Sequence, residues 1–184
     1  MSIQTRELPC RGGKLGLLTL DSPATLNALS SEMFLQMQAQ LDDWAEDESL
    51  CLVMINATGD RGFSAGGDIR EVYQALKEAP DGMTVTEVFA REYRVDYTLH
   101  TFPKPVVTLA HGIIMGGGMG LLQASRYRLV TPDATLAMPE AAIGLFPDVG
   151  ASWFLNRLPG SIGLFMGLTG ARMNATDAMR IGLA

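Results

Sequence analysis

Apolar and polar positions alternate along the chain in two different rhythms. KLGLLTL (14–20) starts as a strand and breaks at Asp21-Ser22-Pro23. CLVMINA (51–57) and KPVVTLAHGII (104–114) are apolar nearly throughout, the pattern of strands buried on both faces. Between these runs the apolar spacing lengthens to three and four. Met33, Phe34, Met37, Leu41 and Trp44 predict a helix from Ser31 to Asp47, with Glu32 in its first turn. A polar helix is predicted from Asp68 to Lys77, broken by EAPDG (78–82), and another over 84–102. GLLQASRYRLV predicts a helix then a strand, and ATLAMPE a strand then a turn. Two short helices over 149–158 and 161–169 follow, and Asn174 with Asp177 resembles a capping box opening a last helix. Strands that alternate with helices predict an α/β chain with a mostly parallel sheet flanked by helices.

Composition narrows the class. Apolar residues make up 47% of 184, enough for one core domain, while charged residues make up only 18%. So low a charge content predicts some covered surface, as in a homo-oligomer. The net charge of −6 leaves no basic patch for nucleic acid. Cys10 and Cys51 form neither a disulfide framework nor a metal spacing. The N-terminal MSIQTRELPCRGGK lacks a signal core, and no apolar run is long enough for a membrane span. The expectation is a cytoplasmic protein. The abrupt end at RIGLA predicts a fragment or an unusually short form.

Two glycine-rich stretches carry the candidate chemistry. In MGGGMG (115–120), Gly116, Gly117 and Gly118 stand together, although each glycine costs a helix about 1 kcal/mol against alanine. Leu121 fills the third position of a dinucleotide fingerprint, and no lysine completes a P-loop. What remains is a strand-to-helix junction with free N–H groups and no Cβ, which suits an oxyanion; close helix–strand packing would also ask for glycine. GFSAGGDI (62–69) is a second such junction. Two junctions after neighbouring parallel strands could aim two N–H donors at one carbonyl oxygen.

FSAGGDI, HGIIMGGGMG and MPEAAIGLFPDVGASWFL, in this order, resemble the crotonase superfamily, which acts on acyl-CoA thioesters. The resemblance runs from about Lys14 to Ala184. It implies a stack of ββα units and a thioester oxygen held by the N–H groups of Ser64 and Gly117. It also implies that the chain lacks the C-terminal helices that complete the family's CoA pocket. Hydratases of the family carry two glutamates, but Gly120 occupies the first of those positions and Glu140 remains. The segments around Glu140 and REYRVDYTLHTFPKP are similar to the 3-hydroxyisobutyryl-CoA hydrolases of valine catabolism. That subfamily pairs a Glu and an Asp eight residues apart, here Glu140 and Asp148, and lines its pocket with a further glutamate, here Glu92. By the same resemblance Ala28 contacts pantetheine, the Asp68 loop meets the adenine, and Ala65, Gly66 and Gly116 bind substrate.

The residues also have plainer readings. Glu92 shares a helical face with Val85, Phe89 and Leu99, so it is either partly buried or paired with Arg91 or Arg94. Glu140 could be ordinary first-turn charge and Asp148 a helix cap. Asp68 suits a cap, and His111 suits a structural hydrogen bond. Without a G-x-S-x-G elbow a serine triad is not expected. The hydrolase reading calls for no metal or redox cofactor, since CoA arrives with the substrate. Its rivals are an enoyl-CoA hydratase or isomerase and an acyl-CoA-binding module without turnover.

Overall fold

The computed structural model describes residues 2–79 and 83–184. In chain order its elements are β1 (Ile3–Cys10), β2 (Gly13–Leu20), α1 (Ser31–Glu46), β3 (Leu50–Ala57), β4 (Gly62–Ser64), α2 (Ile69–Glu78), α3 (Met83–His100), β5 (Val106–Ala110), β6 (Ile113–Met115), α4 (Gly117–Ala124), β7 (Tyr127–Val130), β8 (Thr135–Ala137), α5 (Ala151–Phe154), α6 (Ile162–Thr169), β9 (Met173–Asn174) and α7 (Ala175–Arg180). Short 3-10 turns lie at Pro23–Thr25, Glu140–Ile143 and Leu155–Arg157. Of the expected EAPDG break, Pro80, Asp81 and Gly82 lie outside the described residues.

One sheet has the order β1-β2-β3-β5-β7, parallel from β2 onward, with β1 antiparallel at the edge. The apolar pattern does not predict β1, whose residues are polar enough to resemble a loop. β3 is not buried on both faces as its composition suggested. Leu50, Val53 and Ile55 are fully buried, whereas Leu52 and Met54 are only partly covered. The same outward face leaves Leu109, Tyr127 and Leu129 half-exposed.

A second sheet, β4-β6-β8-β9, is parallel except at β9. KPVVTLAHGII is therefore two strands in two sheets, not one. The chain bends at Gly112, with φ +53°, and a Cβ there would overlap the carbonyl of Arg61. Only glycine accommodates both demands. β3 and β4 repeat this split, as do β7 and β8. Each pair is followed by helix or 3-10 structure, which is the stacked ββα pattern.

The parallel register decides where the site falls. Gly62 pairs with Ile113, and Ile113 with Thr135, so the C-terminal ends of β4, β6 and β8 lie side by side. Those ends release the Ser64–Asp68 loop, the triple glycine and Met138-Pro139-Glu140. α1 covers the first sheet with the residues its spacing selected, Met33, Phe34, Met37, Leu41 and Trp44, all buried. Trp44 lies so close on Gly16 that a Cβ there would sit 2.9 Å from its ring. Asn27, fully buried, accepts from the Ser22 N–H and donates to the carbonyls of Thr58 and Gly62. It ties LNALS to the base of β4.

Candidate active site

The ends of the three parallel strands open into a cavity of about 300 Å³, roofed by α3. Its wall includes Ala65, Gly66, Gly67, Asp68, Gly116 and Gly117, together with Glu92, Glu140 and Asp148. The two glycine stretches touch: a Cβ on Gly66 would lie 3.2 Å from the Gly117 nitrogen. Gly116, at φ +51°, precedes α4, and Gly117 is its first residue, where an N–H has no intrahelical acceptor.

Ser64 does not stand in that wall. It is fully buried, beneath Gly118, where a Cβ would come within 2.8 Å of the serine's own Cβ. Its hydroxyl donates to the Asn27 carbonyl and accepts from the Gly66 N–H. The Ala65 N–H goes to Leu26 and the Asp68 N–H to Leu29. Gly67 is the lining residue of this loop whose N–H these bonds leave out. The expected donor Ser64 thus lies off the wall and Gly67, three positions later, lines it, because hydrogen-bond partners across the LNALS segment are not visible in a spacing. Ala28 also lies off the cavity wall, half-buried beside the lining residue Leu29. Asp68 caps α2 as expected, accepting from the Arg70 N–H at 3.0 Å.

Glu92 is 5% exposed and paired with no arginine among the described residues; Arg91 turns instead to Glu87 and to the Ser31 hydroxyl. One Glu92 carboxylate oxygen fills the space a Gly117 side chain would need, and the other faces Gly67 at 3.9 Å from its Cβ position. The acid thus lies over both glycines. Burial, reinforced by Asp148 and Glu140, pushes its pKa up to about 8.

Glu140 opens the 3-10 turn after β8. It is 8% exposed, with Oε1 3.1 Å from where a Gly116 Cβ would be and Oε2 unpartnered among the described residues. Burial raises its pKa to about 7, against a hydrogen bond from its own backbone. Asp148 is not a side-chain cap: α5 is preceded by Gly150, and the Asp148 carboxylate accepts the Tyr93 hydroxyl at 2.7 Å. Tyr93, one residue after Glu92 in the EY pair, was not singled out from sequence. Burial, then the bond to Asp148, holds its phenol protonated well above the usual range.

Asp96 was also missed. It follows Glu92 by one helical turn on α3, and both its carboxylate oxygens are shielded from solvent without a partner among the described residues. They lie 2.9 and 3.1 Å from where a Gly120 Cβ would stand, and Val149 lies at 2.7 Å from the same point. Position 120 therefore has no room for a side chain. Of the histidines, His111 has a buried Nε2 without a hydrogen-bond partner among the described residues.

The arrangement offers backbone N–H donors facing a group of acids with raised proton affinity, which suits chemistry at a carbonyl carbon. No group of three or more metal-ligating side chains, and no helix long and apolar enough to cross a membrane, occurs among the described residues. A family model described as enoyl-CoA hydratase/isomerase matches residues 15–184. Over 173 residues the chain is 44% identical to a protein of Danio rerio named 3-hydroxyisobutyryl-CoA hydrolase, mitochondrial, covering 94% of this chain and 44% of that one. The Homo sapiens protein of the same name is 43% identical over 173 residues, with the same coverage of 94% and 44%. A solved structure of an enoyl-CoA hydratase from Rhodobacter sphaeroides superimposes with a TM-score of 0.92 at 42% identity, covering 99% of this chain and 52% of that one. The chain spans less than half the length of the curated relatives it matches. On the family match, these relatives and the shared fold, the chain belongs to the enoyl-CoA hydratase/isomerase, or crotonase, family.

Proposed function

We propose that this chain carries the active site of an acyl-CoA thioester hydrolase for 3-hydroxyisobutyryl-CoA or a similar short 3-hydroxyacyl-CoA. One observation carries the reading: Glu92, Glu140 and Asp148 meet two glycine loops in one cavity, while position 120 is bare and closed. A hydratase of this family would need a carboxylate at 120, and Val149 and Asp96 occupy that space.

In the proposed reaction the thioester oxygen accepts from the N–H groups of Gly117 and Gly67. Gly67 replaces Ser64 because its N–H borders the cavity free of the loop's bonds. Glu140 either attacks the carbonyl carbon or takes a proton from an attacking water. In the first route the C–S bond breaks, CoA leaves as thiolate and takes a proton, and water opens the resulting anhydride to return the Glu140 carboxylate. In the second, water adds directly and its proton passes through Glu140 to the leaving sulfur. Asp148, steadied by Tyr93, orients the substrate hydroxyl, and Glu92 holds the acyl end or water. No metal or redox group enters either route.

The test is incubation with 3-hydroxyisobutyryl-CoA and identification of every product by chromatography and mass. The expected products are free CoA and the hydroxy acid, lost in Glu140→Gln. Methacrylyl-CoA would mean dehydration and a hydratase. Tight binding of unchanged substrate would favour the binding-module reading.

A further inference from the structure

The cavity is lined by acids and by no base. Its wall contains Asp68, Glu92, Glu140 and Asp148, and no lysine, arginine or histidine. Asp96 stands behind it, packed on the Gly120 position beside Val149. None of these five carboxylates has an ion pair among the described residues. α4, which forms the floor, carries no titratable side chain. The hydroxyl of Tyr93 already points to Asp148. An anion placed at the acyl end would therefore lose its water and gain no cation, against several buried carboxyls.

We infer that this site selects acyl groups that bear no charge of their own and rejects carboxyacyl groups of the same shape, with Asp96 as a specificity residue acting through its field. The inference rests on the acyl-CoA reading above and adds a substrate property to it. Asp96 packs on the Gly120 end of the triple-glycine stretch and lines an adjoining cavity with Tyr93, Tyr97 and His100, not the cavity of the other acids, so its part is not in the chemistry. Both its oxygens are buried and unpaired among the described residues, which disfavours its charged form. Burial, then Glu92 and Asp148, keep its proton affinity well above that of an ordinary carboxyl. As pH rises, Glu140 (about 7) and Glu92 (about 8) lose protons, and the cavity becomes more hostile to an anion. Discrimination must therefore widen with pH.

Two CoA esters separate the cases cleanly. 3-Hydroxyisobutyryl and methylmalonyl groups differ by a CH₂OH against a carboxylate on the same branched carbon. Their carbadethia analogues, with a methylene in place of sulfur, bind without turnover, and the CoA charge is common to both. Calorimetric titration of this chain should show the carboxylate analogue binding on the order of tenfold weaker at pH 6 and 100-fold weaker at pH 9. Asp96→Asn should narrow the gap more at pH 9 than at pH 6. Leu145→Arg, a cation on a half-exposed lining position, should narrow it at both. Equal affinities at pH 9, or a gap that neither variant moves, overturns the inference while leaving hydrolysis intact. A gap without hydrolysis of the true thioester leaves the inference standing and removes the hydrolase reading. Binding of neither analogue overturns both.

Discussion

At the scale of single residues the site depends on where carboxyls are buried. In the proposed reaction Glu140 must be ionised to attack or to accept a proton, and burial raises its pKa to about 7. Turnover should therefore climb as pH rises through about 7, which a kcat profile from pH 5 to 8 would show. Glu140→Gln should lose activity by on the order of 1,000-fold above pH 7 and flatten the profile while keeping its melting temperature near neutral pH. Glu92 has the opposite bearing on stability. Its pKa is near 8 folded and near 4.5 unfolded, so between those values the folded chain holds a proton that the unfolded chain releases. Stability is complete below about pH 4.5 on this account and falls as pH rises toward 8. Glu92→Gln should flatten that decline in melts at pH 5 and pH 8; a decline unchanged by the substitution would place the cause elsewhere. Helical spacing put Glu92 on an apolar stripe. Asp96 followed the same stripe one turn later, and nothing in its neighbours' identity marked it, because its burial comes from Gly120 on a different helix.

At the scale of elements, glycine marks the points where the chain passes from one sheet to the other or approaches a functional group. Gly112→Ala would put a Cβ into the Arg61 carbonyl at a positive φ, and should cost about 3 kcal/mol in denaturant unfolding. Gly117→Ala is a different kind of change. Its Cβ overlaps the Glu92 carboxylate rather than backbone, so the fold can yield by moving an acid. Here kcat should fall by about 100-fold with a smaller loss of stability, a split that a thermal melt beside a rate measurement would reveal. The helices α1, α2 and α3 were legible to within about two residues at each end, because caps and apolar spacing are local properties. The strands were less so. An eleven-residue apolar run looks the same whether it crosses one sheet or two, and β1 is drawn into the first sheet by pairing with β2 despite its polar sequence.

At the scale of the molecule, two apolar surfaces lie open: the outer face at Leu109, Tyr127 and Leu129, and α6 at Leu164, Phe165 and Leu168. Contiguous apolar surface of this kind drives association. Sedimentation should show this chain associating with concentration, and the pair Leu129→Lys and Phe165→Lys should suppress it; a monomer at every concentration would show that the surfaces are tolerated as they stand. The low charge content of the sequence anticipated such surface, though not its position.

The sequence by itself determined the class of fold, the helices, the two glycine loops and the three acids Glu92, Glu140 and Asp148, since each is written in local spacing or in an ordered set of motifs. The tertiary structure alone decided that one apolar run serves two sheets, that Gly67 and not Ser64 borders the cavity, that Tyr93 holds Asp148 and that Asp96 closes position 120. Each of these depends on contacts between segments far apart in the chain. Which groups are paired, shielded or left facing a cavity follows from strand register and helix crossing, and linear order does not contain them.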